Sequence, residues 1–357
     1  MKKIFPVIGV MSGTSLDGLD IAYCEFSRDK KGWQYRIVFA ETVAYSQEWK
    51  QRLAGVERMS ASELAFAHAE YGHLIGKEVK RFIRHYKIRP SWIASHGHTI
   101  FHQPGKGMTL QIGSGAAIAA ETGIETVCDF RTTDVALGGQ GAPLVPVGDQ
   151  LLFGHFTYCL NLGGFANISC ERRGKRIAFD VCPVNIVLNR LAGLDGQDYD
   201  HGGVLAASGK LNDTLLGALD RLPYYSASPP KSLGKEWVLS EIMPLLDSSP
   251  IPLKDKMHTF CHHIAGQIAK AAGSGREGTM LVTGGGAYNQ FLVDLIGSHT
   301  KHRIIIPDDH TIAFKEALIF AFLGILRVYG QPNSLRSVTG ARTDAVGGAV
   351  YAGIPSR

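Results

Sequence analysis

The residues best suited to chemistry in this chain are glycines set among small hydroxyl side chains. The run Gly9-Val10-Met11-Ser12-Gly13-Thr14-Ser15-Leu16-Asp17-Gly18-Leu19-Asp20 follows an apolar stretch and holds more glycine and hydroxyl than a tight hairpin needs. Gly13 and Gly18 would let the backbone approach a ligand closely and reach positive φ, exposing N–H groups, while Ser12, Thr14 and Ser15 would offer hydroxyl donors to phosphate oxygens. Asp17 could hold Mg²⁺ through water or cap the turn. Standing alone, a glycine-rich hairpin with an Asx turn would explain the loop as well.

The loop has counterparts. Asn161-Leu162-Gly163-Gly164-Phe165-Ala166-Asn167 occupies the equivalent place in a second run of strand-like sequence, and two such hairpins could grip a polyphosphate. Thr283-Gly284-Gly285-Gly286-Ala287-Tyr288-Asn289 joins a strand pattern to a helix pattern, which suits the phosphate or ribose side of a nucleotide. No GxxxxGK[ST] occurs, and no turn gives GxGxxG with a properly spaced acidic residue, so P-loop and Rossmann routes to a nucleotide are absent. His96, His98 and His102 put two imidazoles on one strand face, but no nearby carboxylate or cysteine completes a zinc set; they read as pocket lining.

Positioning these loops requires alternating elements. Strand patterns cover 5–11, 19–26 and 33–44, an antiparallel meander. A helix over 62–86 follows, with Ser60 and Glu63 at capping-box spacing, then strands at 92–95, 109–112 and 125–128. After the Gly/Pro-rich 137–146 the pattern restarts with strands at 157–162, 166–170 and 176–179. Helices at 184–192, 255–272 and 314–328 alternate with strands at 279–283 and 303–306. This repetition predicts two related α/β domains around an interdomain cleft: residues 1–130 with about 335–357, and residues 131–334. A chain of 357 residues has the length for two cores.

Composition narrows the partners. A 45% hydrophobic and 19% charged chain reads as a soluble globular protein, and the apolar start, broken by Pro6, reads as a strand rather than a signal peptide. The six scattered cysteines form no CxxC pair, as expected of reduced thiols in the cytoplasm. A net charge of +5 is dispersed, with its densest clusters on a helix face and a hairpin tip, which argues against nucleic acid as partner. No stretch reads as a membrane span.

Together the three glycine loops resemble the two phosphate loops and the adenosine loop of the acetate and sugar kinase, Hsc70 and actin superfamily. More narrowly, Ser12–Gly18, Asp129-Phe130-Arg131, residues 138–146, Asn161–Gly164, Pro229-Pro230-Lys231-Ser232, Gly284–Ala287, Lys315-Glu316-Ala317 and residues 337–341 resemble, in order and context, the anhydro-N-acetylmuramic acid kinases. The likeness spans essentially the whole chain. It implies an actin-like (ribonuclease H-like) α/β fold with a duplicated mixed-sheet topology, ATP and Mg²⁺ as cofactors, an amino sugar as substrate and a homodimer. The implied reaction is ATP-driven opening of a 1,6-anhydro ring with phosphorylation at O6.

The resemblance makes Asp180 the general base that activates water, with Glu316 helping to hold that water, although a glutamate in a helix's first turn also suits the helix dipole. It implies nucleotide contacts from residues 12–20 and from Asn161, Gly163, Gly164, Gly284, Gly285 and Gly286. Substrate contacts fall to Arg131, His98, Asp129 and Asn185. Arg131 could clasp a carboxylate through two parallel hydrogen bonds or pair internally with Asp129 or Asp134. In one place the pattern breaks: where Asp-Thr-Gly-Pro-Gly-Asn is expected, this chain has Asp180-Val181-Cys182-Pro183-Val184-Asn185. Glycines that admit substrate would make Cys182 and Val184 determinants of rate or sugar choice. A kinase for another sugar and a nucleotide-switched binding protein are the alternatives.

Overall fold

The structure is a computed structural model that describes residues 3–13, 16–273, 275 and 277–353. The expected nucleotide ligands Thr14 and Ser15 lie outside the described residues. The chain forms two compact units, Met1–Leu152 with Phe314–Arg357, and Phe153–Ala313.

The first unit opens with β1 (Ile4–Ser12), β2 (Gly18–Asp29), β3 (Gly32–Ala44), β4 (Trp92–Ser95), β5 (His98–Gln103), β6 (Met108–Ile112) and β7 (Thr126–Cys128). The second holds β8 (Tyr158–Leu162), β9 (Phe165–Arg172), β10 (Lys175–Pro183), β11 (Thr279–Thr283) and β12 (Arg303–Ile305), and β13 (Ala349–Tyr351) returns to the first. The first sheet runs β13-β7-β4-β1-β2-β3, with β1, β2 and β3 antiparallel and β4 and β7 parallel to β1. The second runs β10-β9-β8-β11-β12, again three antiparallel strands followed by two parallel ones. Each unit thus orders its first five sheet strands third, second, first, fourth, fifth. That is the duplicated ribonuclease H-like topology of the actin-like class. The β5–β6 hairpin stands apart.

The long helix Ala61–Tyr86 starts at the expected capping box: Ser60 Oγ accepts from Glu63 N–H, and Glu63 Oε2 accepts from Ser60 N–H at 2.8 Å. It buries Tyr71, Ile75, Val79 and Phe82 against Ile8, Leu19 and Ile93 of the sheet. The second core gathers Leu160, Leu162 and Ile168 with Phe260, Ile264 and Ile268 of the helix Leu253–Ala272.

The unit boundaries fall at 152/153 and 313/314, rather than at 130/131 and 334/335. Residues beyond 130 are tied back by polar groups that periodicity does not reveal. Asp134, fully buried, accepts from Ser334 Oγ at 2.5 Å, Thr339 Oγ1 at 2.8 Å and Gly141 N–H at 2.7 Å. Lys315 and Asp149, both buried, pair at 2.7 Å. The helix Asp309–Val328 begins earlier than expected and is interrupted at Phe314, where φ is −115° and ψ 15°. Among the described residues no helix is long and apolar enough to cross a membrane.

Candidate active site

In the first unit, Gly9 of β1 sets the geometry: a Cβ there would lie 1.9 Å from the Ala317 carbonyl oxygen, so only glycine lets the helix carrying Glu316 lie on this strand. The β1–β2 loop then differs from expectation at several residues. Positive φ falls on Leu16 (60°), whereas Gly18 is a strand residue whose Cβ would meet the Val43 carbonyl oxygen at 2.6 Å. Leu19 is a core residue, 1% exposed, because the strand alternation that opens β2 turns it inward. Ser12 is also buried: its hydroxyl accepts from Tyr45 Oη at 2.8 Å and bonds His98 Nδ1 at 2.9 Å, and Tyr45 in turn bonds Tyr71. The Ser12 and His98 side chains therefore stiffen the loop's root. Neither Tyr45 nor Tyr71 carries a local sequence signal for that role.

Acidic groups gather here. Asp17 is exposed, and Asp20 accepts from Thr42 Oγ1 at 2.6 Å. Burial and the charge of Asp17 push the Asp20 carboxyl up while Thr42 holds it back. Glu316 reaches solvent, yet the protein mass around it pushes its carboxyl up; Arg131 and Lys315 pull it down and Asp20 pushes it further up. Arg131, lowered to about 10 by burial, donates from Nε to His96 Nε2 at 2.9 Å and from Nη1 to the Gly141 carbonyl at 2.7 Å. Guanidinium has five N–H groups, so three remain on the Nη atoms, enough for a bidentate carboxylate. Its charge couples to Glu316 and Asp134, and among the described residues it forms no direct ion pair with either Asp129 or Asp134. Because Arg131 donates to Nε2, His96 must carry its proton on Nδ1, which donates to the Gly97 carbonyl at 2.9 Å; burial and Arg131 keep this ring neutral. Asp129 is exposed at φ 56°, a left-handed position that aspartate tolerates, and accepts from Thr132 Oγ1. Among the described residues no three His, Cys, Asp or Glu side chains group as metal ligands.

In the second unit the β8–β9 turn meets two neighbours. The Gly163 and Gly164 carbonyls accept from Asn185 N–H at 3.2 Å and Val184 N–H at 2.8 Å, capping the start of the helix Asn185–Gly193. Gly284, at φ 84°, brings the turn after β11 so near that a Cβ would sit 2.6 Å from Asn161 Oδ1. Asn185 Nδ2 donates to the Leu162 carbonyl at 3.2 Å, and the same side chain borders Gly285 and Gly286. Asn185, expected on the sugar, thus sits beside Gly285 and Gly286, the glycines expected to meet a nucleotide. It shares with them a cavity of about 640 Å³, whose wall also includes Leu188, Tyr199, His201 and Tyr288. Sequence reasoning missed this wall. The available signal was the doublet Gly202-Gly203, whose successive positive φ values of 62° and 78° bend the chain beside Asn289.

Asp180 lies within β10 rather than after it, at a bulge where pairing slips between Asp180↔Asn167 and Cys182↔Ala166. Burial pushes its carboxyl up, and the Leu233 N–H, 2.9 Å from Oδ2, holds it back. A raised carboxyl with one oxygen fixed suits a general base. Cys182 and Val184, by contrast, point into the core; both are 0% exposed, and burial pushes the Cys182 thiol up, away from reactivity. Their side chains do not line the site.

Duplicated sheets of this order, with glycine turns at equivalent strand ends, define a protein of the actin-like class. The anhydro-N-acetylmuramic acid kinase family matches over residues 5–353, and the chain belongs to that family. Relatives of that name from Saccharophagus degradans and Pseudomonas putida are 35% and 36% identical, each covering 96% of this chain and 98% of their own. The activator of 2-hydroxyisocaproyl-CoA dehydratase from Clostridium difficile is a distant structural neighbour, 13% identical, covering 92% of this chain and 97% of its own with a TM-score of 0.41.

Proposed function

We propose that this enzyme uses ATP and water to open the 1,6-anhydro ring of anhydro-N-acetylmuramic acid and to phosphorylate O6, giving N-acetylmuramic acid 6-phosphate and ADP. Family membership supplies the substrate. The observation that carries the mechanism is Asp180, whose carboxyl is pushed up and whose Oδ2 accepts from Leu233 N–H. Asp180 takes a proton from water as its oxygen bonds to the anomeric carbon. The bond from that carbon to O6 breaks, and O6 takes the γ-phosphoryl group as the bond to ADP breaks. No separate acid is needed for the leaving oxygen.

Taken by itself, the first unit offers Glu316 for the water and Arg131, whose remaining N–H groups suit the sugar's carboxylate, with Asp129 and His98 as further sugar contacts. Nucleotide contacts come from the β1–β2 loop, from Asn161, Gly163 and Gly164, and from Gly284–Gly286 beside the second unit's cavity. Asp17 and Asp20 suit Mg²⁺, because the charge of Asp17 acts on the Asp20 carboxyl and neighbouring hard carboxylates are what this ion takes alongside water and phosphate oxygens. When bound, Mg²⁺ neutralises charge developing on the phosphates. On the same reading the enzyme works in the cytoplasm, as a homodimer.

The test is ADP release from Mg-ATP with the anhydro sugar, comparing wild type with Asp180→Asn. Near-complete loss with nucleotide affinity retained is expected; an unchanged rate removes Asp180 from the role.

A further inference from the structure

The Pro229-Pro230-Lys231-Ser232 motif has no part in the reaction as drawn above, yet its segment is bonded to Asp180 at several points. Three polar groups of Asp180 are each satisfied by residues 224–233: the backbone N–H donates to the Lys231 carbonyl at 3.2 Å, the backbone carbonyl accepts from Tyr224 Oη at 2.7 Å, and Oδ2 accepts from Leu233 N–H at 2.9 Å. The bulge at Asp180/Cys182 interrupts the ladder to β9 at this point, and this segment supplies Asp180's missing partners. It also closes on itself, because Lys231 Nζ donates to the Tyr224 carbonyl at 3.0 Å and lies 4.5 Å from the centre of the Tyr224 ring. Tyr224 is braced in turn by Trp237, ring to ring at 5.3 Å.

From this arrangement we infer that residues 224–233 form a strap that orients the base, with Tyr224 and Lys231 as positioning residues, so that Oδ1 of Asp180 is the oxygen that takes the proton. The inference rests on Asp180 being the base. Oδ2 is committed to Leu233, and among the described hydrogen bonds Oδ1 receives none. A carboxylate free at both oxygens could rotate, whereas one pinned at Oδ2 and at both backbone groups presents a single lone-pair direction to water. Lys231 acts through Tyr224, since its charge is not among the influences on the Asp180 carboxyl.

Tyr224→Phe and Lys231→Met test the strap in the full-length enzyme by steady-state ADP release against pH, with Lys231→Arg as the conservative control. The expected result is a kcat lower by about tenfold in Tyr224→Phe and Lys231→Met, an unchanged KM for ATP, and partial recovery in Lys231→Arg. The acid limb of kcat/KM should move to higher pH, because a loosened strap weakens the Leu233 N–H that holds the Asp180 carboxyl down. A merely structural role would lower the melting temperature without moving that limb, and this outcome overturns the inference. So do wild-type kcat and pH profile in both variants while Asp180→Asn is inactive. An active Asp180→Asn would instead remove the base assignment beneath it, and the inference with it.

Discussion

Restoring glycine at Val184 separates a residue that shapes the site from one that fills the core. Val184 is 0% exposed, packed among Leu160, Leu162, Val187 and Leu188 at the start of the helix Asn185–Gly193. Removing a buried valine side chain costs about 2–3 kcal/mol, and glycine's added freedom in the unfolded chain about 0.5–1 more. A total near 3 kcal/mol should lower the melting temperature by roughly 6–12 °C for a unit of this size. Calorimetry reads that loss, and ADP release reads catalysis, which should keep its wild-type kcat and sugar KM. Cys182→Gly should behave alike with a smaller loss, since its thiol is also fully buried. If Val184→Gly turns over several-fold faster, or binds the sugar better, with its melting temperature kept, then the side chain obstructs the site and the packing argument is wrong.

Leu19→Ala should cost about 2–5 kcal/mol in chemical denaturation and leave KM for ATP unchanged, because the side chain is core. Arg131→Lys should raise the sugar's KM by about tenfold or more, with KM for ATP kept, since an ammonium cannot bond His96 and Gly141 and still offer a fork. His96 and His98 are held neutral by burial, so the unfolded chain binds protons that the folded chain refuses. Stability should therefore fall as pH drops below about 6.5, and His98→Gln should flatten that fall in melting curves taken against pH.

What the sequence by itself determined was whatever depends on neighbours along the chain. Strand alternation and the Ser60–Glu63 capping box placed both meanders and the long helix, because periodicity and caps are local properties. Glycine clusters marked the β1–β2, β8–β9 and post-β11 turns, since a turn that needs close backbone approach must carry the residue that permits it. Tertiary structure alone decided which way the side chains of those segments point. Ser12 turned to Tyr45 and His98, Leu19 entered the core, and Asn185 joined the glycine turns of the second unit. Asp134 drew residues beyond 130 into the first unit through Ser334 and Thr339, partners some two hundred positions away. The replaced glycines, Cys182 and Val184, looked in sequence like the place where the site departs from its family. Their direction was set by the bulge in β10 and the core beneath it, and a long-range packing choice of that kind leaves no trace in local composition.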